Sequence, residues 1–193
     1  MRKVILVSKS PRRRELLEGA GFSLDIRSIE TEETVDLSKS PADAIVKIAH
    51  EKVEAFLNTS PDIPDEKYFC LGADTEVVFE GRLLGKPYTD EEATLMLEML
   101  SGERHEVITG YAIYSFPEDR WITGAVTTEI IFRELESQEI ADYVLSGDPF
   151  DKAGGYGIQG DARKFVSHIE GDFNNVVGLP IDEIKKKFDE LNG

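Results

Sequence analysis

The stretch that decides the fold is VILVSKSPRRR, residues 4–14. Its four leading apolar residues are typical of a β-strand that is covered on both faces. Ser10 and Pro11 follow as an N-cap and a first-turn proline, and they predict a helix that ends near residues 19–21. The chain therefore opens with a strand, a short loop and a helix, as an α/β protein does.

The rest of the chain continues this alternation of strands and helices. A second helix is predicted from Ser40, a second buried strand at residues 69–73, and a hairpin around residues 80–82. Further expected elements are helices from Thr89 and over 137–145, strands at 107–114 and 121–132, a hairpin turning at 170–172, and an amphipathic helix through Ile181 and Phe188. The pattern predicts an α/β fold: one domain over residues 1–193, with helices on the faces of a mixed sheet.

Composition excludes several classes of protein. The 193 residues include 38 acidic and 22 basic side chains, and a formal charge of −16 disfavours nucleic acid as a partner. Cys70 is the only cysteine and the histidines are scattered, which argues against a disulfide or a cysteine-rich zinc site. No apolar run approaches the roughly 20 residues of a membrane span, and the first run is too short for a signal peptide. We expect a cytoplasmic protein without a membrane partner.

The loop after the first strand is a candidate phosphate site. Its cations, within SKSPRRR at residues 8–14, stand at a helix N-terminus, where free N–H groups and the helix dipole already favour an anion. Cations normally prefer the other helix end, so their presence here indicates a bound anion. The alternative is a capped helix with a solvated basic first turn.

Two charged residues fall on otherwise apolar surfaces. Lys52 lies near the middle of the apolar face of the second predicted helix, where it either snorkels or points into a site. Asp74 follows the apolar residues 70–73 at the expected end of a buried strand. A carboxylate there is costly unless a cation or metal pairs with it, which favours a functional site over a helix cap.

Other segments are weak signals by themselves. The acidic residues 30–34 are typical of a solvated loop, and Lys86 stands in a turn beside Pro87. Residues 155–160 contain a literal G-x-G-x-x-G, yet no apolar strand precedes it and no helix pattern follows. The dinucleotide-binding interpretation therefore fails, and these glycines instead allow a tight loop or a close ligand.

Taken in order, several short motifs resemble the Maf family. They are SKSPRR at 8–13, GADT at 72–75, GKP at 85–87, LSG at 100–102, DKAG at 151–154, YGIQG at 156–160 and VGLP at 177–180. The resemblance implies a fold like that of the inosine-triphosphate pyrophosphatases, an elongated mixed sheet flanked by helices, with two lobes and a central cleft. It also implies house-cleaning hydrolysis of nucleoside triphosphates to monophosphate and pyrophosphate, a link to septum formation, and a homodimer.

The resemblance also assigns site residues. Ser8, Arg12 and Arg13 match the phosphate-binding loop, Thr75 and Gln159 are expected to bind substrate, and Glu33, Lys52, Asp74 and Lys86 are expected to be catalytic. Glu33 and Asp74 would hold Mg²⁺ or Mn²⁺ through oxygen ligands, and Glu32 could take the place of Glu33. Whether Asp74 is a general base or only a metal ligand stays open.

Gln159 bears on the choice of substrate. Its amide offers a donor and an acceptor, which match the N3–H and carbonyl edge of uracil or thymine. The glutamine-bearing loop resembles the branch of the family that acts on dTTP and UTP, so pyrimidine triphosphates are the expected substrates. In the alternative, the amide only ties the glycine loop to nearby backbone. A different class of function, a non-catalytic nucleotide-binding regulator of septum formation, also stays open.

Overall fold

The structure, a computed structural model, describes residues 3–31, 39–59, 68–116 and 118–192. Its strands are β1 (Lys3–Val7), β2 (Ser23–Arg27), β3 (Tyr68–Phe79), β4 (Arg82–Leu83), β5 (Arg104–Phe116), β6 (Arg120–Phe132) and β7 (Val166–Glu170). Its α-helices are α1 (Pro11–Gly19), α2 (Pro41–Thr59), α3 (Asp90–Leu100), α4 (Ser137–Leu145), α5 (Phe173–Val177) and α6 (Ile181–Asn192). Short 3₁₀ turns occupy Asp148–Asp151, Ala153–Gly155 and Asp161–Phe165.

The strands form one mixed sheet in the order β2-β1-β3-β5-β6-β7, with β4 paired to β3. Strand β1 runs parallel to both β2 and β3, whereas β4 is antiparallel to β3 and β7 is antiparallel to β6. This mixed sheet with flanking helices confirms the predicted α/β fold class. Within the described ranges, no helix combines the length and the apolar character that a membrane crossing requires.

The first strand and helix form as the sequence predicts. Val4 to Val7 are at most 3% exposed. The Ser10 hydroxyl accepts a hydrogen bond from the backbone N–H of Arg13 at 3.4 Å, and Pro11 occupies the first turn. The helix ends before Gly21, whose φ of 86° suits a residue without a side chain.

The chain divides into two compact units. The first consists of Met1–Asp74, Thr109–Val126 and Gly178–Gly193, and the second of Thr75–Ile108 and Thr127–Val177. In the first unit, alternate residues of β1 point to opposite faces of the sheet. Val4 and Leu6 lie in an apolar cluster with Phe188 of α6, whereas Ile5 and Val7 lie in another cluster with residues of α2. The first unit is thus layered as helix, sheet and helix.

The second unit has its own apolar core. Helices α3 and α4 contribute Leu97 and Tyr143 to it, and the sheet contributes Phe132. The ring of Phe165 meets those of Phe132 and Tyr143 edge-on, at centroid distances of 6.0 and 5.2 Å. Such T-shaped contacts are favourable between aromatic rings, so this core also fixes the 3₁₀ segments around it.

Three details differ from the sequence expectation. Asp74 lies within β3 and not at its end, because the β-branched and aromatic residues after it continue the strand to Phe79. No hairpin turns at residues 170–172, since Asp172 instead accepts a hydrogen bond from the N–H of Asn174 at 2.8 Å and begins α5. Strand β2 was not predicted, although residues 22–26 alternate between apolar and polar side chains as an edge strand does.

Candidate active site

The loop after β1 brings a serine and an arginine of the predicted phosphate site together. The Ser8 hydroxyl accepts hydrogen bonds from the N–H of Ser10 at 3.1 Å and from Nη1 of Arg13 at 3.4 Å. Nε of Arg13 donates to the carbonyl of Gly178 at 2.9 Å, which ties the guanidinium to the VGLP segment of the same unit. Arg13 is therefore a partly buried cation with a fixed orientation.

The other cations of this loop are placed differently. Arg12 is also half-buried in the first turn of α1. Arg14 pairs with Glu18 one helical turn later, and Lys9 pairs with Glu30 at an exposed position. Such surface pairs contribute little stability, and they leave Arg12 and Arg13 as the loop's candidates for binding phosphate.

Lys52 and Asp74 form a mostly buried ion pair. Nζ of Lys52 lies 2.6 Å from Oδ1 of Asp74, and the two side chains are 14% and 10% exposed. The lysine therefore points into the protein toward a carboxylate, and of the two alternatives for Lys52, this excludes free snorkelling toward solvent. The pair joins two predicted site residues that are far apart in sequence.

Two glycines let α2 lie close enough to the sheet for this contact. A Cβ added at Gly72 would meet the carbonyl oxygen of Ala49 at 2.6 Å, and one at Gly110 would meet backbone of Ile45 at 2.7 Å. Gly72 and Asp74 stand two apart on β3 and so face the same side. The helix seated over Gly72 thus brings Lys52 to Asp74, and any side chain at Gly72 would push the helix away.

The second oxygen of Asp74 has an unusual environment. Oδ2 is buried, and it has no hydrogen-bond partner among the residues that the structure describes. A buried carboxylate oxygen without a partner is costly, which indicates a role in binding a cation or in proton transfer.

The phosphate loop, at the carboxyl end of β1, lies beside the part of β3 that contains Asp74. Leu6 of β1 is level with Leu71 of the parallel strand β3, so the loop after Val7 begins beside residues 73 and 74. The carboxyl ends of parallel strands are where open α/β sheets bind ligands. The first unit therefore gathers Ser8, Arg13, Lys52 and Asp74 into one region.

The predicted residues of the second unit are more exposed. Thr75 is half-buried on β3, while Lys86 and Gln159 are exposed. The carbonyl of Gly85 accepts a hydrogen bond from the N–H of Gly154 at 2.6 Å, which joins the turn of Lys86 to the glycine-rich segment that leads to Gln159.

Gln159 occupies a tight turn. The N–H of Gly160 donates to the carbonyl of Gly157 at 3.2 Å, which leaves Ile158 and Gln159 as the central residues. Ile158 is 4% exposed and anchors the turn, whereas Gln159 faces outward. In the described part of the chain the Gln159 amide makes no hydrogen bond. This does not support the alternative in which Gln159 only ties the loop to backbone.

The predicted metal ligands are only partly described. Glu33 and its alternative Glu32 lie outside the described residues. Among residues 3–31, 39–59, 68–116 and 118–192, no three His, Cys, Asp or Glu side chains are grouped as a metal site. Asp74 is thus the one predicted ligand whose surroundings are known.

Two polar residues near the Gln159 turn, Tyr143 and Asp148, were not singled out by the sequence, and Lys152 was noted only as part of the DKAG motif. Tyr143, Asp148 and Lys152 are joined by hydrogen bonds, and Tyr143 and Lys152 contact Gly157. The available signal was the spacing of Lys152, which follows Asp148 by four residues and Asp151 by one. That signal indicates a local ion pair but not its contact with the loop.

Comparison with known proteins identifies relatives over the whole chain. The family model described as Maf-like protein matches residues 3–191. A protein of Bacillus thuringiensis subsp. konkukian named dTTP/UTP pyrophosphatase is 47% identical over 192 residues, which cover 100% of this chain and 97% of that protein. A Bacillus cereus protein of the same name is 46% identical with the same coverage.

Solved structures show weaker similarity. A nucleoside-triphosphatase, dITP/XTP pyrophosphatase, of Mycobacterium abscessus aligns with a TM-score of 0.44 at 16% identity, covering 67% of this chain and 74% of that one. The Ham1 protein of Staphylococcus aureus aligns with a TM-score of 0.39 at 12% identity, covering 68% and 72%. The family match and the full-length relatives are decisive, and they show that this chain belongs to the Maf family.

Proposed function

We propose that this protein is a nucleoside triphosphate pyrophosphatase that hydrolyses dTTP and UTP to the monophosphate and pyrophosphate. The main support for the proposal is the environment of Asp74, which is a buried carboxylate. One of its oxygens pairs with Lys52, and the other has no hydrogen-bond partner in the described ranges. The relatives named dTTP/UTP pyrophosphatase, which match the chain over its whole length, support the same reaction.

The first unit supplies the groups that bind phosphate. A triphosphate brings about four negative charges, and the chain as a whole carries −16, so binding depends on cations held in fixed positions. Arg13, oriented by Ser8 and by Gly178, offers a planar guanidinium that suits a phosphate. Arg12 stands beside it at the N-terminus of α1, whose free N–H groups add to the attraction.

Asp74 fits a divalent metal. Its Oδ2 is a buried, hard oxygen donor without a hydrogen-bond partner in the described segments, as a ligand of Mg²⁺ or Mn²⁺ would be. Asp74 and Glu33, or Glu32 in its place, would hold the ion. The ion would supply positive charge near the phosphate oxygens and activate the attacking water.

The reaction then follows from the charges of the site. Water attacks the α-phosphorus, the new P–O bond forms as the bond to the β-phosphate oxygen breaks, and the water loses a proton. Lys52 donates to Oδ1 of Asp74 and so directs the other carboxylate oxygen toward the reaction, where Asp74 serves as proton acceptor or ligand. The leaving pyrophosphate gains negative charge, which Arg12 and Arg13 stabilise electrostatically. Lys86 is proposed as a further catalytic residue on the ground of the family resemblance.

Gln159 selects the base. Its exposed amide, without a hydrogen-bond partner in the described part of the chain, has a donor and an acceptor available for the edge of uracil or thymine. Adenine presents the donor and acceptor in the reverse order, whereas guanine repeats the N–H and carbonyl of uracil and differs by its second ring and its 2-amino group, which a site for a pyrimidine would leave unpaired. Thr75, half-buried after Asp74 on β3, is assigned to substrate contact.

A panel of nucleotides tests the proposal. Purified protein with Mg²⁺ is incubated with dTTP, UTP, CTP, ATP and GTP, and pyrophosphate release is measured over a range of concentrations. We expect the highest kcat/KM for dTTP and UTP. A non-catalytic regulator would bind the same nucleotides without releasing pyrophosphate, and a preference for ATP or GTP would contradict the assignment of the base.

A further inference from the structure

In the second unit, Gly157 belongs to a closed ring of contacts. The N–H of Gly157 donates to the hydroxyl oxygen of Tyr143 at 3.3 Å, and that hydroxyl donates to Oδ2 of Asp148 at 2.8 Å. Nζ of Lys152 donates to Oδ1 of the same carboxylate at 3.1 Å. These bonds link Gly157 to Lys152 through the tyrosine and the aspartate.

The stem of Lys152 completes the ring by packing on Gly157. A Cβ added at Gly157 would lie 2.6 Å from Cε and 2.7 Å from Cδ of the lysine, so a larger residue there would displace the lysine stem. Gly160 also lies close to the ring, because its Cβ would lie 3.1 Å from Oδ2 of Asp148. The two glycines that bound the Gln159 turn are thus both seated against this ring.

Lys152 is held firmly in this position. Besides Asp148 Oδ1, its ammonium donates to the carbonyl of Asp148 at 2.6 Å and to Oδ1 of Asp151 at 2.5 Å, and its side chain is 12% exposed. An ammonium has three N–H donors, and each has an acceptor here.

Tyr143 is also fixed. It is 3% exposed, its ring meets Phe165 edge-on, and burial together with the hydrogen bond to Asp148 raises the pKa of its hydroxyl. The hydroxyl therefore remains protonated and donates to Asp148 across the physiological pH range.

We infer that the Tyr143–Asp148–Lys152 ring is a positioning device that holds the Gly157–Gly160 turn and so presents Gln159 to the base of the nucleotide. This inference rests on the proposed function, because it assigns to these residues a part in the same base recognition. Gln159 is exposed and makes no hydrogen bond in the described part of the chain, so its own contacts do not orient it. Its placement depends on a turn whose two ends lie against the ring, and loss of one ring bond loosens that turn.

Tyr143→Phe is the main test, because it removes the hydroxyl and keeps the ring that packs on Phe165. The control is Tyr114→Phe, which removes another tyrosine-to-aspartate hydrogen bond, the 3.0 Å bond to Asp119, in the first unit. For each protein we would measure kcat and KM with dTTP and with GTP, and amide hydrogen exchange over residues 153–162. Lys152→Met, which keeps an unbranched stem against Gly157, serves as a second variant if Tyr143→Phe does not fold.

We expect Tyr143→Phe to raise KM for dTTP by about tenfold, the loss of roughly one hydrogen bond, while kcat and the values for GTP stay within about twofold. Exchange over residues 153–162 becomes faster, and Tyr114→Phe changes neither quantity. Combining Tyr143→Phe with Gln159→Ala should add nothing to the loss that Gln159→Ala causes alone, because both act through one side chain.

The inference would be overturned if Tyr143→Phe changed neither the amide exchange of residues 153–162 nor the KM for dTTP. It would also be overturned if the losses caused by Tyr143→Phe and Gln159→Ala were additive in the double variant. Equal losses of kcat/KM for dTTP and GTP would show a general structural role and overturn it too. If the wild type showed no preference for pyrimidine nucleotides but Tyr143→Phe still exchanged faster, the ring would be upheld as the support of the turn. That result would contradict the proposed role of Gln159 instead.

Discussion

The two compact units hold their polar site residues in opposite ways. The first buries charge, since the side chains of Lys52 and Asp74 are 14% and 10% exposed and lie 2.6 Å apart. The second leaves Lys86 and Gln159 at the surface, where neither side chain has a hydrogen-bond partner among the described residues. Buried charge is costly to maintain, whereas an exposed lysine or glutamine costs almost nothing.

The informative feature is therefore a buried side chain in the first unit and the backbone in the second. In the first unit, the proposed catalytic role of Asp74 rests on the cost of a buried carboxylate with one oxygen unpaired within the described ranges. In the second unit, the informative feature is the backbone that carries the side chains. Gly154 has a φ of 67° and leaves no room for a Cβ beside Val77, and the turn at Gln159 is bounded by two more glycines that have close neighbours. The proposed role of Asp74 and the proposed role of Gln159 therefore rest on different kinds of observation.

The substitution with the largest expected effect is Asp74→Asn, which tests the proposed catalytic role of the first unit. An amide keeps the shape of the side chain but loses the charge, so we expect kcat to fall by about a thousandfold or more. Circular dichroism should show an unchanged fold. The control is Asp25→Asn, which removes a more exposed carboxylate of the first unit that pairs with Arg27. Near wild-type turnover in Asp74→Asn would remove the basis for placing the reaction there.

Lys52→Met tests whether the first unit's charge is truly buried. It leaves the buried Asp74 carboxylate without the lysine that pairs with it, so the free energy of unfolding should fall by about 3 kcal/mol, together with turnover. Lys47→Met is the matched control, because Lys47 lies on the same helix and pairs with Glu51 at 3.3 Å in a more exposed position. Its expected cost is under about 1 kcal/mol. Equal costs in urea-unfolding experiments would show that burial makes no difference.

The second unit also buries a histidine, which is neutral in the folded protein. His105 is 2% exposed, its Nε2 lies 2.7 Å from the hydroxyl of Tyr156, and burial lowers its pKa from 6.5 to about 4. Because the unfolded chain takes up a proton first, this contribution is full above pH 6.5 and is lost as the pH falls toward 4. The loss amounts to roughly 3 kcal/mol.

Unfolding by urea between pH 7.5 and pH 4 measures this contribution. His105→Gln, which retains a polar side chain near Tyr156 but does not titrate, should flatten the pH dependence relative to wild type. His168→Gln, at an exposed position on β7, should leave it unchanged. The same slope in all three proteins would mean that His105 is not held neutral.

Gln159→Ala, in the second unit, is expected to have the smallest effect on turnover. We expect kcat/KM for dTTP and UTP to fall by about tenfold, with ATP and GTP unaffected, because only the pyrimidine edge loses its partner. Stability should not change, since the side chain is exposed. A uniform loss on every nucleotide would assign Gln159 to the general architecture of the loop.

Local signals in the sequence were sufficient for much of the fold. Ser10 and Pro11 marked the start of α1, and helix α4 was predicted with the bounds that the structure has, Ser137–Leu145. Strand β2 was missed because its side chains are half-buried or exposed, which gives an edge strand a weak pattern. The incorrect hairpin at residues 170–172 arose because Asp172 and Gly171 suit a turn as well as a helix start.

The candidate site residues could be named from the sequence, but their contacts could not. The desolvation of Asp74 and the odd position of Lys52 each indicated a site, yet their pairing depends on how closely α2 approaches Gly72. That approach is a tertiary property without a local signal. The ring around Gly157 was not predicted for a similar reason, since 3₁₀ turns such as Asp148–Asp151 and Ala153–Gly155 are too short to have a periodic pattern.

The products of dTTP hydrolysis directly test whether the protein releases pyrophosphate and whether Asp74 is needed for this reaction. Wild-type protein and Asp74→Asn are incubated with dTTP and Mg²⁺, and the nucleotide and phosphate products are separated by ion-exchange chromatography. We predict that the wild type forms dTMP and pyrophosphate in equal amounts and that Asp74→Asn forms almost none. Formation of dTDP and orthophosphate by the wild type, or equal rates of pyrophosphate release by the two proteins, would contradict the account.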